Sequence, residues 1–145
     1  MRSPLRVACT ALSVMVVAVT MLFSAGSADA AVSKQAWGPW FKSQLGHHCR
    51  NYASVTSGHK IRFRSYTECK QKSQIITTAI GSMNGTASVH KNHLCYRTRA
   101  TTWCDTVVYK NNKKGKQTWC ATSVSTIDGY WPNVVKTRAR ACIRY

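Results

Sequence analysis

Apolar and polar residues alternate along most of the chain after residue 50, with the period of two expected of a half-buried β-strand. Thr, Val, Ile and aromatic residues are frequent in these stretches, as they are in strands generally. The only segment with helical character is a turn expected within residues 33–45. The alternation predicts eight strands, at residues 50–56, 60–69, 74–83, 86–91, 96–103, 106–110, 117–126 and 134–145.

Turn residues separate the predicted strands. Asn84-Gly85 lies between two strand-like runs and is the strongest hairpin signal in the chain. Ser57-Gly58, the segment 111–116 and Asp128-Gly129 mark three further turns. Short strands at this spacing predict an all-β fold, a small immunoglobulin-like β-sandwich or a small barrel.

The first thirty residues have the features of a secretory signal peptide. Arg2 and Arg6 precede a mostly apolar run over residues 7–23, and Ala28-Asp29-Ala30 is a typical cleavage pattern. Retention of the apolar run as a membrane anchor is the alternative. Cleavage leaves residues 31–145, in which no segment reaches the ~20 apolar residues that a spanning helix needs. We therefore expect a secreted, extracellular protein without stable membrane insertion.

Six cysteines follow the signal segment, an even number that predicts three disulfides in an exported protein. Pairing of neighbours along the chain closes the shortest loops, although the sequence leaves other connectivities open. Each bridge stabilises the fold by roughly 2–4 kcal/mol by restricting the unfolded chain. The expected pairs are Cys49–Cys69, Cys95–Cys104 and Cys120–Cys142.

Metal binding is the competing interpretation of these cysteines. His90, His93 and Cys95 lie close in sequence, as do His47, His48 and Cys49. The chain has no Cys-x-x-Cys pair, however, and oxidised cysteines are not thiolate ligands. We expect no metal and no other cofactor.

The chain is strongly basic. It has 145 residues, 21 Lys and Arg and only 4 Asp and Glu, which gives a net charge of +17. Removal of residues 1–30 leaves 19 cations and three carboxylates, Glu68, Asp105 and Asp128. Most cations therefore have no internal acidic partner and must face water or an acidic partner.

Several cations occupy alternate positions of predicted strands. In the last strand they share one face with Cys142, while Ala139, Ala141 and Ile143 fall on the other. Such a row is either the solvated face of a sandwich or a surface for an anionic partner, and arginine suits carboxylate or phosphate recognition. The rows form one basic face only if their strands are neighbours. Their members are Lys60, Arg62 and Arg64; Arg97 and Arg99; and Lys136, Arg138, Arg140 and Arg144.

Residues 31–48 depart from the strand pattern and form an aromatic extension ahead of the domain at residues 49–145. The extension holds Trp37, Trp40 and Phe41 around a Gly-Pro bend. These rings either fold back to cap the sandwich or dock into a partner protein, since large aromatic residues are strong interface anchors.

Three further tryptophans, Trp103, Trp119 and Trp131, lie next to cysteines or turns. We interpret them as core residues packed against disulfides, with stacking on a sugar or a base as the alternative. The lysine-rich segment 110–116 is interpreted as a solvated hairpin tip or as a basic contact for an acidic surface.

No catalytic motif is present in the sequence. A nucleophile elbow, a P-loop, a zinc-protease motif and a dinucleotide fingerprint are all missing. A secreted ribonuclease-like activity is the most plausible enzymatic alternative, with His59 and His90, or Glu68 with a histidine, as acid and base, but nothing in their spacing places them together. We expect no enzymatic activity.

Residues 95–104, 113–120 and 137–145 carry a family resemblance in their cysteine spacings and basic strands. In these segments the chain resembles small secreted, disulfide-bonded proteins of filamentous actinobacteria. Its overall format is similar to that of the small adaptor subunit of secreted umbrella toxin particles. The resemblance implies a protein that bridges a lectin subunit and a repeat-bearing toxin polypeptide, with residues 31–48 as the extension that engages one of them.

These observations together predict a secreted, non-enzymatic binding or adaptor protein in an extracellular, antibacterial toxin-type complex. An acidic protein surface is the expected partner. The alternatives are a free cationic antimicrobial protein acting on anionic cell-envelope polymers, or a secreted nucleic-acid-binding protein. Association with nucleic acid is otherwise expected to be non-specific, because a protein this basic adheres to phosphate backbones at low salt.

Overall fold

The computed structural model describes residues 31–43, 45–95, 100–128 and 137–145. Residues 1–30, Gln44, residues 96–99 and residues 129–136 lie outside this part of the chain. The expected signal peptide therefore falls outside the described residues, as do Arg97, Arg99, Trp131 and Lys136. The described residues form nine strands. Within this part of the chain, no helix is long and apolar enough to cross a membrane.

The first sheet has the strand order β1-β3-β4-β7, with the short β2 also paired to β3. All pairings in this sheet are antiparallel. Its strands are β1 (Ser33–Trp37), β2 (Phe41–Lys42), β3 (His48–Thr56), β4 (Lys60–Ser73) and β7 (Thr101–Asn111).

The second sheet has the order β6-β5-β8-β9 and is also antiparallel. Its strands are β5 (Ile75–Met83), β6 (Thr86–Leu94), β8 (Thr118–Ile127) and β9 (Thr137–Arg144). Asn84 and Gly85 both have positive φ in the β5–β6 turn, at 50° and 88°, which confirms the predicted hairpin.

The two sheets form an immunoglobulin-like β-sandwich, as the alternation predicts. Strands β3, β4 and β7 face strands β6, β5, β8 and β9, so the chain crosses between the sheets after β4, after β6 and again after β7. The edge strand β9 contacts β1 and β3 on one side, and β6 contacts β7 on the other.

Two sequence predictions of strand position were wrong. Residues 106–110 are not a separate strand, because β7 runs unbroken from Thr101 to Asn111 beside β4. Residues 33–37 form β1 rather than a turn, paired to the outer edge of β3. Four of its five residues are exposed, so β1 has no alternation that a sequence pattern reveals.

The three disulfides join the cysteines that were expected to pair. Cys49–Cys69 and Cys120–Cys142 each link neighbouring strands of one sheet at directly opposed positions. Cys95–Cys104 lies where β6 ends and joins that end to β7 of the other sheet. Three such bonds indicate folding in an oxidising compartment.

A layer of hydrogen-bonded polar side chains divides the interior between the sheets. On one side lies a hydrophobic cluster that includes Phe63 and Trp119, and on the other a cluster around Ile75 and two of the disulfides. The layer is fully buried, and its hydrogen bonds cross from one sheet to the other. The Thr67 hydroxyl donates to Asn51 and to Thr77, and the Ser125 hydroxyl donates to Asn51. Its members are Asn51, Ser65, Thr67, Thr77, Ser123 and Ser125.

Candidate binding face

The outward side of the first sheet is rich in aromatic side chains. Trp37 of β1 is paired with Tyr52 of β3, which is paired with Tyr66 of β4, so the three lie in one row across the sheet. The neighbours of Tyr52 and Tyr66 along their strands are buried, so alternation directs these two rings outward, and Trp37 is exposed on the same side of the sheet, in contact with both. We call the set Trp37, Trp40, Tyr52, Tyr66, Trp103 and Tyr109 the aromatic face.

Most rings of the aromatic face contact one another. The centroids of Trp37 and Tyr52 are 5.0 Å apart, and Trp37 meets Tyr66 edge-on at 6.1 Å. Tyr66 in turn lies nearly parallel to Trp103 at 6.4 Å. These separations lie in the range in which aromatic pairs attract each other, so the face extends from the edge strand β1 to the opposite edge strand β7.

Arg50 lies between two of the tryptophans. Its guanidinium carbon is 4.0 Å from the ring centre of Trp37 and 4.7 Å from that of Trp40, both within cation–π range. Its Nε donates to the Glu68 carboxylate at 2.5 Å. The amine of Lys70 lies 5.2 Å from the Trp40 ring, so cations and rings alternate over this end of the face.

A second arginine is fixed near the centre of the aromatic face. Arg64 Nη2 donates to Asp105 at 2.6 Å, and Nε donates to both oxygens of the same carboxylate. This hydrogen bonding raises the pKa of Arg64. Burial, followed by the charge of Glu68, raises the pKa of Tyr66.

All three side-chain carboxylates beyond residue 30 are engaged within the chain. Glu68 binds Arg50 and Asp105 binds Arg64. Asp128 lies 2.6 Å from His47 Nδ1 and accepts hydrogen bonds from the Ser43 hydroxyl and a backbone amide. Among the described residues, the other lysines and arginines form no ion pair with a side-chain carboxylate.

The aromatic face is open to solvent. Trp37 is 45% exposed, Trp40 43%, Trp103 55% and Tyr109 54%. Single exposed apolar residues are ordinary, but a contiguous apolar patch of this kind usually marks an interaction surface.

The predicted partner-binding cations that the structure describes fall on two opposite sides of the sandwich. Lys60, Arg62 and Arg64 point outward from the first sheet, because Ile61 and Phe63 between them are buried. The β9 arginine row points outward from the second sheet and is exposed; its members are Arg138, Arg140 and Arg144. The cationic strands β4 and β9 are not neighbours, so their rows do not form the single basic face that adjacency would give.

The aromatic residues of the extension take different positions. Trp37 and Trp40 lie on the outer surface of the first sheet and do not cap the interior. Phe41 is half-buried against the cluster that holds the Cys49–Cys69 disulfide. The extension is therefore joined to the sheet through β1 and β2, with two of its three large rings left open.

The expectation of a core role is wrong for Trp103 and confirmed for Trp119. Trp119 is fully buried and packs against Phe63, with ring centroids 6.1 Å apart. Trp103 is exposed because Cys104 points inward, which turns its neighbour outward.

Sequence patterns also missed Arg50, Tyr52, Tyr66 and Tyr109 as members of the site. Each of them occupies an outward position of a predicted strand, where alternation predicts only a polar or solvated side chain. For the three tyrosines the signal was a large aromatic side chain at a solvent position, and for Arg50 it was the proximity of Trp37 and Trp40; both are visible only after the strand register is known.

Two clusters that suggest chemistry have structural explanations. Ser43, Ser73 and Asp128 surround His47, but Ser73 and Asp128 both lie against the same ring nitrogen, Nδ1. A catalytic relay requires a base and an orienting acid on opposite nitrogens. His93 lies close to Cys95 and Cys104, but the two sulfurs are bonded to each other and are not metal ligands.

Comparisons of the chain with protein-family models, with curated proteins and with solved structures found no match. The function of the protein must therefore be inferred from its own geometry.

Proposed function

We propose that this chain is a secreted, non-enzymatic binding module that holds an acidic partner protein against its aromatic face. In this role it acts as an adaptor in an extracellular, toxin-type complex. The observation that carries the proposal is the exposure of Trp37, Trp40 and Trp103 on one sheet surface, interleaved with arginines.

The residue types of the face support protein recognition. Trp, Tyr and Arg are the residues most enriched among those that dominate binding energy at protein interfaces. Several of these rings and guanidinium groups are already held by contacts with one another, so less side-chain entropy is lost when a partner binds.

Charge supports an acidic partner. Lys60 and Arg62 border the aromatic face and are exposed, and every side-chain carboxylate beyond residue 30 is already engaged within the chain. Acidic groups on a partner would find these cations unneutralised, which favours both rapid association and correct orientation.

Secretion is supported by the signal-like segment at residues 1–30 and by the three disulfides. The adaptor role is supported by the extension at residues 31–48, which contributes Trp37 and Trp40 to the face. Because β1 is an edge strand, a partner that binds there reaches the rings without any rearrangement of the sandwich.

Native size-exclusion chromatography of untreated culture medium tests the proposal. Wild-type protein should elute with larger polypeptides, whereas Trp37→Ala combined with Trp40→Ala should weaken this association by at least about tenfold, as loss of hot-spot residues does. Leu94→Ala is the matched control, since it removes a similarly exposed apolar side chain, 43% exposed, from the second sheet.

Elution of the wild-type protein alone, near the mass of residues 31–145, would contradict the proposal. Equal loss of association in the Leu94→Ala control would also contradict it, because the aromatic face would then have no special role. Circular dichroism of each variant shows that the fold is retained.

A second candidate function rests on the β9 arginine row. The three guanidinium groups lie on the outward side of one strand, and none of them forms an ion pair with a carboxylate of the described residues. Such a row favours an anionic cell-envelope polymer, as expected of a cationic antimicrobial protein. Killing of bacteria by the isolated wild-type protein, lost in Arg138→Glu plus Arg140→Glu, would favour this function over the adaptor role.

A further inference from the structure

A groove runs between the edges of the two sheets, on the side where β6 lies beside β7. Its volume is about 440 Å³. Trp103 and Tyr109 of β7 and Lys91 and His93 of β6 line it. The groove shares Trp103 and Tyr109 with the aromatic face and does not include the Trp37–Arg50–Trp40 cluster, whose tryptophans test the contact with the partner protein.

Two exposed aromatic rings mark the length of the groove. Trp103 and Tyr109 are the most exposed aromatic side chains of the described chain, at 55% and 54%. They occupy the same face of β7 six positions apart, which corresponds to roughly 20 Å at ~3.3 Å per residue. A ligand that contacts both rings must therefore be extended.

Polar groups lie between the rings. Asp105 is held in place by Arg64, and its backbone carbonyl lies 2.6 Å from His93 Nδ1. Thr106 also borders the groove but is only 5% exposed, because it lies on the buried side of β7 with Cys104.

We propose that this groove binds an oligosaccharide of several neutral pyranose units. The ring faces of Trp103 and Tyr109 stack on the apolar faces of the sugars, because both side chains combine an apolar ring with a polar edge. Lys91, His93 and Asp105 provide hydrogen-bond donors and acceptors for the sugar hydroxyls. A few placed polar groups among apolar walls are typical of sites for small ligands.

The chemistry of the groove disfavours the other extended ligands. An added peptide strand needs the backbone groups of the edge strand β7, but the Asp105 carbonyl is already bound by His93. A nucleic-acid strand needs a row of cations for its phosphates. The groove instead offers one lysine and a carboxylate that Arg64 neutralises.

Binding of neutral hexasaccharides to the purified protein tests the proposal. The probes are chitohexaose, cellohexaose, xylohexaose and laminarihexaose, and the measurement is tryptophan fluorescence together with calorimetry in 0.15 M and 0.5 M NaCl. We expect at least one to bind with an affinity that is unchanged by salt, because an uncharged sugar releases no counterions. Trp103→Ala and Tyr109→Ala should each reduce that affinity at least tenfold.

Trp40→Ala is the control, because Trp40 lies on the aromatic face outside the groove. It should leave sugar binding unchanged while weakening the association with the partner protein, so the two proposals fail independently. Absence of binding to all four sugars at millimolar concentration would overturn the inference. Sugar binding that Trp103→Ala and Tyr109→Ala leave unchanged would also overturn it. The same holds if a bound polypeptide protects the β7 amides while no sugar binds.

Discussion

The side chain of Thr77 shows how the interior of this sandwich combines polar and apolar packing. Its hydroxyl is fully buried and lies within hydrogen-bond distance of Ser65 on one side and Thr67 on the other. Hydroxyl groups in a protein interior are stable only when bonded in this way. The polar layer therefore fixes how the two sheets face each other.

Replacement of Thr77 by Val should destabilise the protein by about 1–3 kcal/mol, because Ser65 and Thr67 each lose a partner in a buried site. Val retains the shape of the side chain, so the loss reports the hydrogen bonds. Thr78→Val, at the next position on the outward face of β5, is the control and should change stability by less than about 0.5 kcal/mol. The midpoint of urea unfolding measures the stability of both variants. If the Thr77→Val midpoint equals that of Thr78→Val, the result contradicts a stabilising polar layer.

Residue identity alone does not determine on which side a tryptophan lies. Trp103 and Trp119 both precede a cysteine, yet one is exposed and the other is buried. In β7 Cys104 points inward and Trp103 outward, whereas in β8 Trp119 points inward and packs on Phe63. The direction depends on whether the disulfide forms inside or outside the sheet, which a single sequence does not specify.

At the level of strands, alternation predicted the interior of the fold better than its margins. The strands β3, β4, β5 and β8 lie within a few residues of their predicted positions, because each buries one face. The edge strand β1 was missed, and the edge strand β7 was predicted as two separate strands. Four of the five residues of β1 are exposed, so this strand carries no alternation, whereas the edge strand β9 buries alternate residues and was predicted within three residues.

The candidate site was predicted only in part, because it depends on which strands are neighbours. The cationic rows of β4 and β9 follow from their alternation with buried residues. Their assignment to opposite sheets depends on strand order, which local sequence does not specify. Trp37 and Trp40 were expected at an interface, whereas the contact of both with Arg50 requires the pairing of β1 and β2 with β3.

Close packing between β4, β5 and β6 depends on Gly81. A Cβ atom at this position would lie 2.6 Å from the ring of Phe63 and 2.8 Å from Val89. We expect Gly81→Ala to destabilise the fold by about 1–3 kcal/mol through overpacking. Gly58→Ala is the matched control, since its nearest neighbour would be at an ordinary 3.5 Å. Thermal unfolding distinguishes them, and an equally stable Gly81→Ala variant would contradict the close contact.

At the scale of the whole molecule, the sandwich separates two kinds of surface. The first sheet presents aromatic rings mixed with cations, and the second presents the β9 arginine row, with no exposed Phe, Tyr or Trp side chain among its described strands β5, β6, β8 and β9. A rigid framework with three disulfides keeps the two surfaces on opposite sides. Under the proposed function, recognition of a protein belongs to the first sheet and attraction to polyanions belongs to the second.

Charge reversal on the second sheet should separate these two properties. Arg138→Glu together with Arg140→Glu should lower the salt concentration needed for elution from heparin, because fewer counterions are released on binding. Both side chains are exposed, so we expect only a small change in stability. Association with the partner protein should persist, and its loss in this variant would show that the partner contacts the second sheet.

Oxidative footprinting of tryptophan, with the protein free and in its native complex, tests most directly whether the aromatic face is the partner-binding surface. We predict that Trp37 and Trp40 are oxidised in the free protein and protected at least about fivefold in the complex, in keeping with their burial at an interface. Trp119, which is fully buried, should be unreactive in both samples. Equal oxidation of Trp37 and Trp40 in the free protein and in the complex would contradict this account of the molecule.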